Sequence, residues 1–129
     1  MTVSAVLIEG ADVSALAVAI ALAEQGAEAA VVHRAARLHD AASGLVDHAD
    51  AVAALFERAR LLGIEVRGGV GVVGCVHVDA YIEAELSNGR IENYDVVVDG
   101  SSRPWQIVMG DEARRPGVAD IVERTLAAH

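Results

Sequence analysis

The sequence predicts an α/β fold in which a parallel sheet is flanked by helices and accompanied by a small antiparallel meander. The first quarter alternates short apolar, β-branched runs with a helix-forming run, which is the pattern of a strand-helix-strand unit. The third quarter holds short alternating runs separated by turn residues, which is typical of antiparallel strands. A length of 129 residues suits one ordinary domain with one core.

The chain begins with the strand-helix-strand unit. Residues 3–8 form a short apolar run that predicts a buried parallel strand. The stretch ALAVAIALAEQ that follows is rich in helix formers, with Asp12 or Ser14 placed to cap the helix and Gly26 placed to end it. Residues 27–33 then predict a second strand, parallel to the first.

A second helix and the meander follow. Residues 50–62 have apolar side chains at helical spacing and run up to Gly63, and residues 64–67 restart a strand. Ser87-Asn88-Gly89 is a hairpin signal, because Asn and Gly tolerate positive φ. The alternating runs around this turn predict strands over residues 70–78, 81–86 and 91–98.

The last quarter predicts one more buried strand over residues 105–109 and a closing helix over residues 116–128. Trp105, at the start of that strand, is interpreted as a core or interface anchor. No internal repeat or linker divides the chain, so we expect a single domain over residues 1–129.

The composition excludes several classes of function. The net charge is −9 and the chain has no lysine, which argues against a nucleic-acid partner. No run reaches eighteen uninterrupted apolar residues, so no membrane span is expected. Cys75 is the only cysteine, which excludes an intrachain disulfide and favours a reducing, cytoplasmic location. The few local concentrations of arginine are interpreted as solvated surface, at Arg58, Arg60, Arg114 and Arg115.

Two glycine patterns compete for a phosphate-binding role. Gly69, Gly71 and Gly74 match GxGxxG literally, but a working loop of that kind must open a helix. The residues after this motif alternate and lead into another predicted strand. We therefore interpret these glycines as part of a twisted strand.

The better-placed loop follows the first strand and indicates a degenerate dinucleotide-binding, or Rossmann-like, plan. Gly10 keeps the tight turn, whereas Asp12 and Ala15 stand where the fingerprint has its second and third glycines. The Asp12 carboxylate can occupy the helix N–H groups that would hold a phosphate. Beside a phosphate about 4 Å away it costs on the order of 4 kcal/mol, roughly three decades of affinity. NAD(P)H binding is therefore not expected.

The end of the second strand leaves one alternative open. His33 stands where an acid would hold the ribose of a nicotinamide nucleotide, and Arg34 and Arg37 follow it. These basic residues are compatible with a 2′-phosphate. On this plan, residues 1–100 form a nucleotide-binding-like core, and residues 101–129 add the closing strand and helix.

Other polar clusters do not predict a site. No catalytic residue is assigned, because Cys75 and His77 on one strand face have no activating partner, and burial of Cys75 is expected. No metal is expected, since the candidate ligands lack a fixed spacing and are explained by capping and solvation: His39, Asp40, Asp47, His48 and Asp50.

The order of segments resembles the nicotinamide-nucleotide domain of two-dinucleotide-domain flavoproteins, especially the C-terminal region of the trimethylamine dehydrogenase and 2,4-dienoyl-CoA reductase family. Three stretches carry the resemblance, and together they cover nearly all of the chain. They are AVLIEGADVSALAVAIALAEQGAEAAVVHRAARL, then LFERARLLGIEVRGGVGVVG through LSNGRIENYDVVVDGSSRP, and finally WQIVMGDEARRPGVADIVERTLAAH.

The resemblance implies a role beside a flavin. In the family, the acid matching Asp111 hydrogen-bonds the flavin ribityl chain, and the helix after it points its N-terminus at the cofactor. The rest of the family's FAD domain, its FMN barrel and its cluster cysteines have no counterpart here. The resemblance thus implies an accessory subunit of a flavin-dependent oxidoreductase whose FAD is shared with or held by a larger flavoprotein subunit.

The alternatives are a stand-alone NAD(P)H-binding domain acting as reductase component or regulator, and a structural protein that has lost its ligands. For Asp111 the alternative role is to cap the final helix or a turn. The residues expected to contact a cofactor are Gly10, Asp12, Ala15, Gly100, Gly110 and Asp111.

Overall fold

The computed structural model describes residues 5–10, 13–34, 49–100, 105–111 and 118–128. Within these ranges, the strands are β1 (Ala5–Glu9), β2 (Glu28–His33), β3 (Glu65–Gly68), β4 (Val72–Val78), β5 (Tyr81–Leu86), β6 (Ile91–Tyr94), β7 (Val96–Asp99) and β8 (Gln106–Met109). The helices are α1 (Val13–Glu24), α2 (Ala49–Leu61) and α3 (Val118–Ala127). None of these three helices is both long and apolar enough to cross a lipid bilayer.

The larger sheet has five strands in the order β3-β2-β1-β7-β8. β1 pairs in parallel with β2 and with β7, and β2 pairs in parallel with β3. The predicted α/β class with a parallel sheet is therefore confirmed. β8 pairs antiparallel with β7 and lies at the edge, which makes the sheet mixed. The prediction that β8 is buried is wrong, because an edge strand has one open side and only Met109 of its four residues is buried.

One face of the larger sheet is covered by helices. Val6 and Ile8 of β1 pack with Leu16 and Leu22 of α1 in one apolar cluster, to which α2 and α3 also contribute. These four side chains are fully buried. Burying one aliphatic side chain of this size stabilises a fold by about 1.5–3 kcal/mol, so this cluster is a principal source of stability.

The other face is covered by the smaller sheet, an antiparallel meander in the order β4-β5-β6. Leu7 of β1 packs there with Ile82, Ala84 and Leu86 of β5. Since both faces of β1 are covered, every residue of β1 after Ala5 is buried, which accounts for its uninterrupted apolar run. The domain thus has three layers: helices, mixed sheet and meander.

The predicted helix-ending and hairpin glycines are confirmed. Gly26 has φ of +96° and Gly63 has φ of +75°, the left-handed conformation that commonly closes a helix. After α1, the Ala27 N–H donates to the Leu22 carbonyl at 3.1 Å. Gly89, in the predicted hairpin turn between β5 and β6, has φ of +86°.

The prediction of one strand over residues 91–98 is wrong, because the chain changes sheets at Asp95. β6 belongs to the meander and β7 to the larger sheet. The Asp95 carboxylate accepts a hydrogen bond from the Ala5 N–H at 2.7 Å, and the Asp95 N–H donates to the Ala5 carbonyl at 2.8 Å. Asp95 therefore holds the start of β1 and ends the alternating run.

The literal GxGxxG motif leads into a strand, as predicted. Gly69 lies in the turn after β3 with φ of +72°, and Gly74 lies within β4. Gly71 lies against the Arg34 side chain. A Cβ there would come within 2.6 Å of the Arg34 guanidinium, so the missing side chain leaves room for that arginine. These glycines form no phosphate loop.

A polar cluster fastens the meander to the edge of the larger sheet. The Arg67 guanidinium on β3 donates to both carboxylate oxygens of Glu92 on β6, at 2.6 and 3.0 Å. The Tyr94 hydroxyl donates to the same carboxylate at 2.6 Å. The hydrogen bond from Arg67 is the main reason that the pKa of Glu92 is lowered to about 2. Burial and the hydrogen bond to Glu92 raise the pKa of Tyr94 to about 12.

The lowered pKa of Glu92 predicts an acid-dependent loss of stability. An ionised Glu92 stabilises the fold fully above its ordinary pKa of 4.5, and this contribution is lost as the pH falls from 4.5 toward 2. After allowance for solvent screening, it amounts to about 1–2 kcal/mol. The difference in urea-unfolding free energy between wild type and Glu92→Gln should shrink by this amount between pH 5 and pH 2.5.

Glu57→Gln is the control. Glu57 pairs with Arg60 on α2, and both side chains of this pair are exposed to solvent. We expect no resolvable change in its difference from wild type over the same pH range. A difference for Glu92→Gln that is independent of pH would contradict the assignment of the acid-labile contribution to the Arg67–Glu92 pair.

Candidate functional site

The candidate site lies where the direction of strand order in the larger sheet reverses. From β1 the chain proceeds to β2 and β3 on one side, and β7 lies on the other side of β1. In open α/β sheets, ligands bind in the crevice outside the carboxyl ends of the strands at such a switch point. Gly10 follows β1 and Gly100 follows β7, so the structure brings these two predicted residues to one edge.

The backbone at this edge is closed on itself. The Gly10 N–H donates to the Val32 carbonyl at 3.1 Å, and the Gly100 N–H donates to the Glu9 carbonyl at 2.6 Å. Neither N–H is therefore directed at a phosphate. Ala15 on α1 is fully buried in the helix-side core, as expected for a small residue at close helix-strand contact. Asp12 lies outside the described residues.

Trp105 occupies the space beside Gly100. A Cβ at Gly100 would lie 2.5 Å from a ring carbon of Trp105 and 2.9 Å from the Glu9 carbonyl oxygen. The indole is half-buried and packs against the helix-side core, in agreement with its predicted role as an anchor. Glycine is thus required at position 100 by the close approach of the tryptophan ring.

Glu9 is the functional-site residue whose role the sequence does not predict. The Glu9 side chain lies on the meander side of β1 and is nearly buried. Oε1 accepts from Arg34 Nε at 2.9 Å, and Oε2 accepts from the Val72 N–H at 3.0 Å. Arg34 also donates to the Val72 carbonyl at 3.0 Å. This three-residue network ties the carboxyl ends of β1 and β2 to the start of β4.

A signal for this network does exist in the sequence. Glu9 is the last residue of β1 and follows four apolar residues, and a carboxylate at the end of a buried strand requires a cation or N–H donors. Its partners, Arg34 and Val72, are 25 and 63 residues away in the chain. Sequence spacing could not have identified them, because the contact depends on where the meander crosses the sheet.

The end of β2 does not present an open nucleotide-ribose site. His33 is only 2% exposed, and its carbonyl accepts from the Val70 N–H at 3.0 Å. One edge of the Arg34 guanidinium is engaged by Glu9 and Val72, although the side chain is 63% exposed. Arg37 lies outside the described residues. Of the basic residues proposed to bind a 2′-phosphate, Arg34 is therefore the described one whose side chain is exposed.

Gly110 and Asp111 pack against the turn between β4 and β5. The Gly110 N–H donates to the Asp95 carbonyl at 2.9 Å, and the Asp111 N–H donates to the Asp79 carbonyl at 2.8 Å. A Cβ at Gly110 would overlap the backbone of Ala80. Close packing therefore accounts for glycine at position 110. The Asp111 backbone is held to the turn by its hydrogen bond to Asp79.

The predicted site residues fall at opposite edges of the larger sheet. Because β8 is antiparallel, its last residue Met109 pairs with Val96 at the start of β7. Gly110 and Asp111 thus lie at the amino edge, whereas Gly10 and Gly100 lie at the carboxyl edge. A strand of four or five residues separates the edges by about 13–17 Å. The two pairs do not line one pocket.

Asp111 presents its carboxylate outward at the amino edge. The side chain is 60% exposed, and Oδ1 lies 3.2 Å from His77 Nε2 on β4. The predicted burial of Cys75 is wrong, because this residue on edge strand β4 is exposed. Partial desolvation and, second, the Glu9 carboxylate raise the pKa of the Cys75 thiol, which disfavours the nucleophilic thiolate.

The described residues contain no group of three or more potential metal ligands. His39, Asp40, Asp47 and His48 lie outside the described residues, as does the side chain of Asp50. The predicted solvated arginines at 58 and 60 are exposed and pair with Glu24 and Glu57, whereas Arg114 and Arg115 are not described.

Comparison with known proteins adds information on the fold. No family model and no curated protein sequence matches the chain. LpdA from Mycobacterium tuberculosis superposes with a TM-score of 0.62 at 17% identity, covering 77% of this chain and 20% of that chain. An engineered water-forming NADPH oxidase bound to NADPH gives 0.61 at 15%, covering 80% and 21%. The 2-methyl-3-hydroxypyridine-5-carboxylic acid oxygenase gives 0.57 at 14%, covering 74% and 39%.

Identities this low establish a shared fold and nothing finer. The chain spans about a fifth of LpdA and of the NADPH oxidase, and about two fifths of the oxygenase. The predicted likeness to an oxidoreductase domain is thus confirmed at the level of the fold. The finer resemblance to the trimethylamine dehydrogenase and 2,4-dienoyl-CoA reductase family stays a prediction.

Proposed function

We propose that this chain is a small accessory component of a flavin-dependent oxidoreductase, and that a larger partner subunit holds the FAD. Two features support the proposal together. The fold is shared with an NADPH oxidase and an oxygenase, each of which is a much longer chain. At the switch-point edge, where such a fold would hold a dinucleotide, the described N–H groups of Gly10 and Gly100 are taken by the chain's own carbonyls and Trp105 lies beside Gly100. The component therefore contributes surface and structure to an assembly rather than a nucleotide site of its own.

The main support for the proposal is that Glu9 is fully engaged by groups of the same chain. Its carbonyl takes the Gly100 N–H, and its carboxylate is paired with Arg34 and the Val72 N–H. A dinucleotide needs free N–H donors and glycine-lined space at this edge. Among the described residues, the N–H groups of Gly10 and Gly100 are taken by backbone carbonyls, and Trp105 lies beside Gly100, which supports weak binding of NAD(P)H.

Asp111 is the residue that the proposal assigns to the partner's flavin. Its carboxylate is exposed at the amino edge and can accept hydrogen bonds from the hydroxyl groups of a ribityl chain. Because Asp111 lies away from the closed edge, a flavin would approach it from a neighbouring polypeptide. The adjacent Gly110 is assigned to packing and not to the cofactor.

The test has two arms. Calorimetric titration of the isolated chain with NADH and with NADPH should give dissociation constants of about 10⁻⁴ M or weaker. A tagged chain purified from its native cells should bring down a larger subunit, and the complex should show flavin absorbance. Asp111→Ala should leave the isolated fold intact, since an exposed acid contributes little stability, but it should lower the flavin content of the complex.

Each arm can contradict the proposal. Low-micromolar binding of either nucleotide would favour the stand-alone NAD(P)H-binding alternative and would point to the exposed Arg34 as a phosphate contact. A complex without flavin would exclude a flavin-dependent partner. If the Asp111→Ala complex kept its full flavin content, Asp111 would not contact the flavin, and its role would be limited to the turn.

A further inference from the structure

The outer face of the meander carries a cross-strand arrangement of apolar and acidic side chains. On this face, Glu85 of the central strand lies between Gly74 of β4 and Ile91 of β6. In the next row, Glu83 lies beside Val76 of β4. Neighbouring strands are about 4.8 Å apart, so these side chains form one continuous surface about 10 Å wide. We call it the meander face.

The apolar members of the meander face are strongly exposed. Ile91 is 65% exposed and Val76 is 59% exposed. They are two of the five exposed large apolar side chains among the described residues. Gly74 adds an open notch beside Glu85, because a Cβ there would meet only Glu85 Oε2, at 3.9 Å. Exposed apolar side chains that share one sheet face with charged side chains are compatible with an interaction surface.

The charge of the meander face is of one sign. Neither Glu83 nor Glu85 has a basic group within ion-pair distance in the part of the chain that the structure describes. Arg90, the nearest arginine in sequence, pairs instead with Glu92 at 3.6 Å. Two uncompensated carboxylates therefore stand between two exposed apolar side chains.

We propose that the meander face docks a partner protein whose surface presents lysine or arginine side chains beside apolar ones. Basic groups would pair with Glu83 and Glu85, while apolar groups would cover Val76 and Ile91. Charge complementarity of this kind fixes register and speeds association. The inference rests on the proposed function only in requiring a partner chain, and it needs no flavin.

Charge selects this occupant over others. A second copy of the chain would bring Glu83 and Glu85 against the same acids, which is repulsive at an isologous interface. Nucleic acid and anionic lipid surfaces are repelled for the same reason. The net charge of −9 reinforces the preference for a basic partner.

The absence of lysine makes a covalent test specific. A carbodiimide joins a carboxylate to a lysine amine as an amide, and the reagent leaves as a urea carrying the elements of water. Because the chain has no lysine, a Glu83 or Glu85 link to a lysine must end on another protein. Cross-linking the complex purified from native cells should give such links at Glu83 and Glu85, identified by mass spectrometry.

Matched variants decide whether these links report docking. Ile91→Asp and Glu85→Arg should each reduce recovery of the partner, measured by co-purification before cross-linking, about tenfold or more, as expected for an unfavourable charge at an interface. Leu61→Asp on α2 is the control for Ile91, because Leu61 is 64% exposed. Glu123→Arg on α3 is the control for Glu85. Both control variants should retain the partner, and urea unfolding should confirm that all four variants fold.

Several results would overturn the meander face as the docking site. Links mapped only to acids elsewhere would do so, as would equal recovery with Ile91→Asp and Leu61→Asp. A homodimer in light scattering that Ile91→Asp dissociates would assign the face to a second copy. A flavin-containing complex whose cross-links lie at other acids would refute the docking site but support the proposed function. A flavin-free partner cross-linked at Glu83 or Glu85 would support the docking site but contradict the proposed function.

Discussion

Gly110→Ala is expected to lower the free energy of unfolding by about 3 kcal/mol or more. The added Cβ would overlap the carbonyl of Ala80 and approach Tyr81 Cα within 2.6 Å. These are backbone atoms of the turn between β4 and β5, so no side-chain rotation can relieve the contact. The Gly110 and Asp111 hydrogen bonds to Asp95 and Asp79 should be strained together. Urea unfolding at neutral pH measures the loss.

Gly74→Ala is the matched control. The new Cβ would meet only Glu85 Oε2 at 3.9 Å, an ordinary contact, and glycine within a strand is itself mildly unfavourable. We expect a change within about 0.5 kcal/mol, or a slight stabilisation. If Gly110→Ala kept full stability and instead depleted flavin from the purified complex, glycine at this position would serve the cofactor rather than packing.

Leu7→Ala is expected to lower the free energy of unfolding by about 2–5 kcal/mol. Leu7 is fully buried between the larger sheet and the meander, in contact with Ile82, Ala84 and Leu86. Truncation would remove apolar contacts and leave a cavity between two sheets that cannot collapse onto each other freely. For a domain of this size the melting temperature should fall by roughly 8–20 °C.

Ile91→Ala is the control for Leu7, since Ile91 also lies on an apolar strand position but is 65% exposed. Its effect on stability should stay within about 0.5 kcal/mol. A loss below about 1 kcal/mol for Leu7→Ala would mean that the meander does not cover this face of β1. The three-layer architecture would then be wrong at its central contact.

The local elements could be read from the sequence because their signals are short-range. Gly26 and Gly63 end α1 and α2 as predicted, since a left-handed residue favours glycine. The Ser87-Asn88-Gly89 turn and the strand Tyr81–Leu86 on one side of it match for the same reason. The GxGxxG glycines lead into a strand and not a helix, as predicted from local alternation, although only Gly74 lies within the strand itself.

The errors arose where contacts between distant segments decide the outcome. Asp95 ends β6 because its carboxylate and backbone bind Ala5, 90 residues away. Cys75 was predicted to be buried, yet it lies on an edge strand of the meander and is exposed. Edge position is a property of the assembled sheet, so periodicity along one strand cannot predict it.

The candidate site, too, could be predicted from the sequence only in part. Gly10 was predicted from the strand-loop pattern and Gly100 was named with it as a cofactor contact; the structure places both at the switch point, and their contact with a cofactor stays a prediction. Asp111 was predicted, from its similarity to a Gly-Asp segment, to contact a flavin held by a partner, and that contact stays a prediction. The antiparallel direction of β8 places Asp111 at the opposite edge, and strand direction is not encoded in the four residues of that strand.

The sequence by itself determined the α/β class, the strand-helix-strand start and the glycines that end its helices and turns. These features depend on backbone conformational preferences and on apolar periodicity, which act over a few residues. Only the tertiary structure decided that Glu9 turns away from the phosphate loop to bind Arg34 and Val72, and that the meander exposes Val76 and Ile91. Both depend on which layer covers which face. That choice follows from the total apolar burial and charge pairing of segments far apart in the chain, because a buried carboxylate must find its partners wherever the fold brings them.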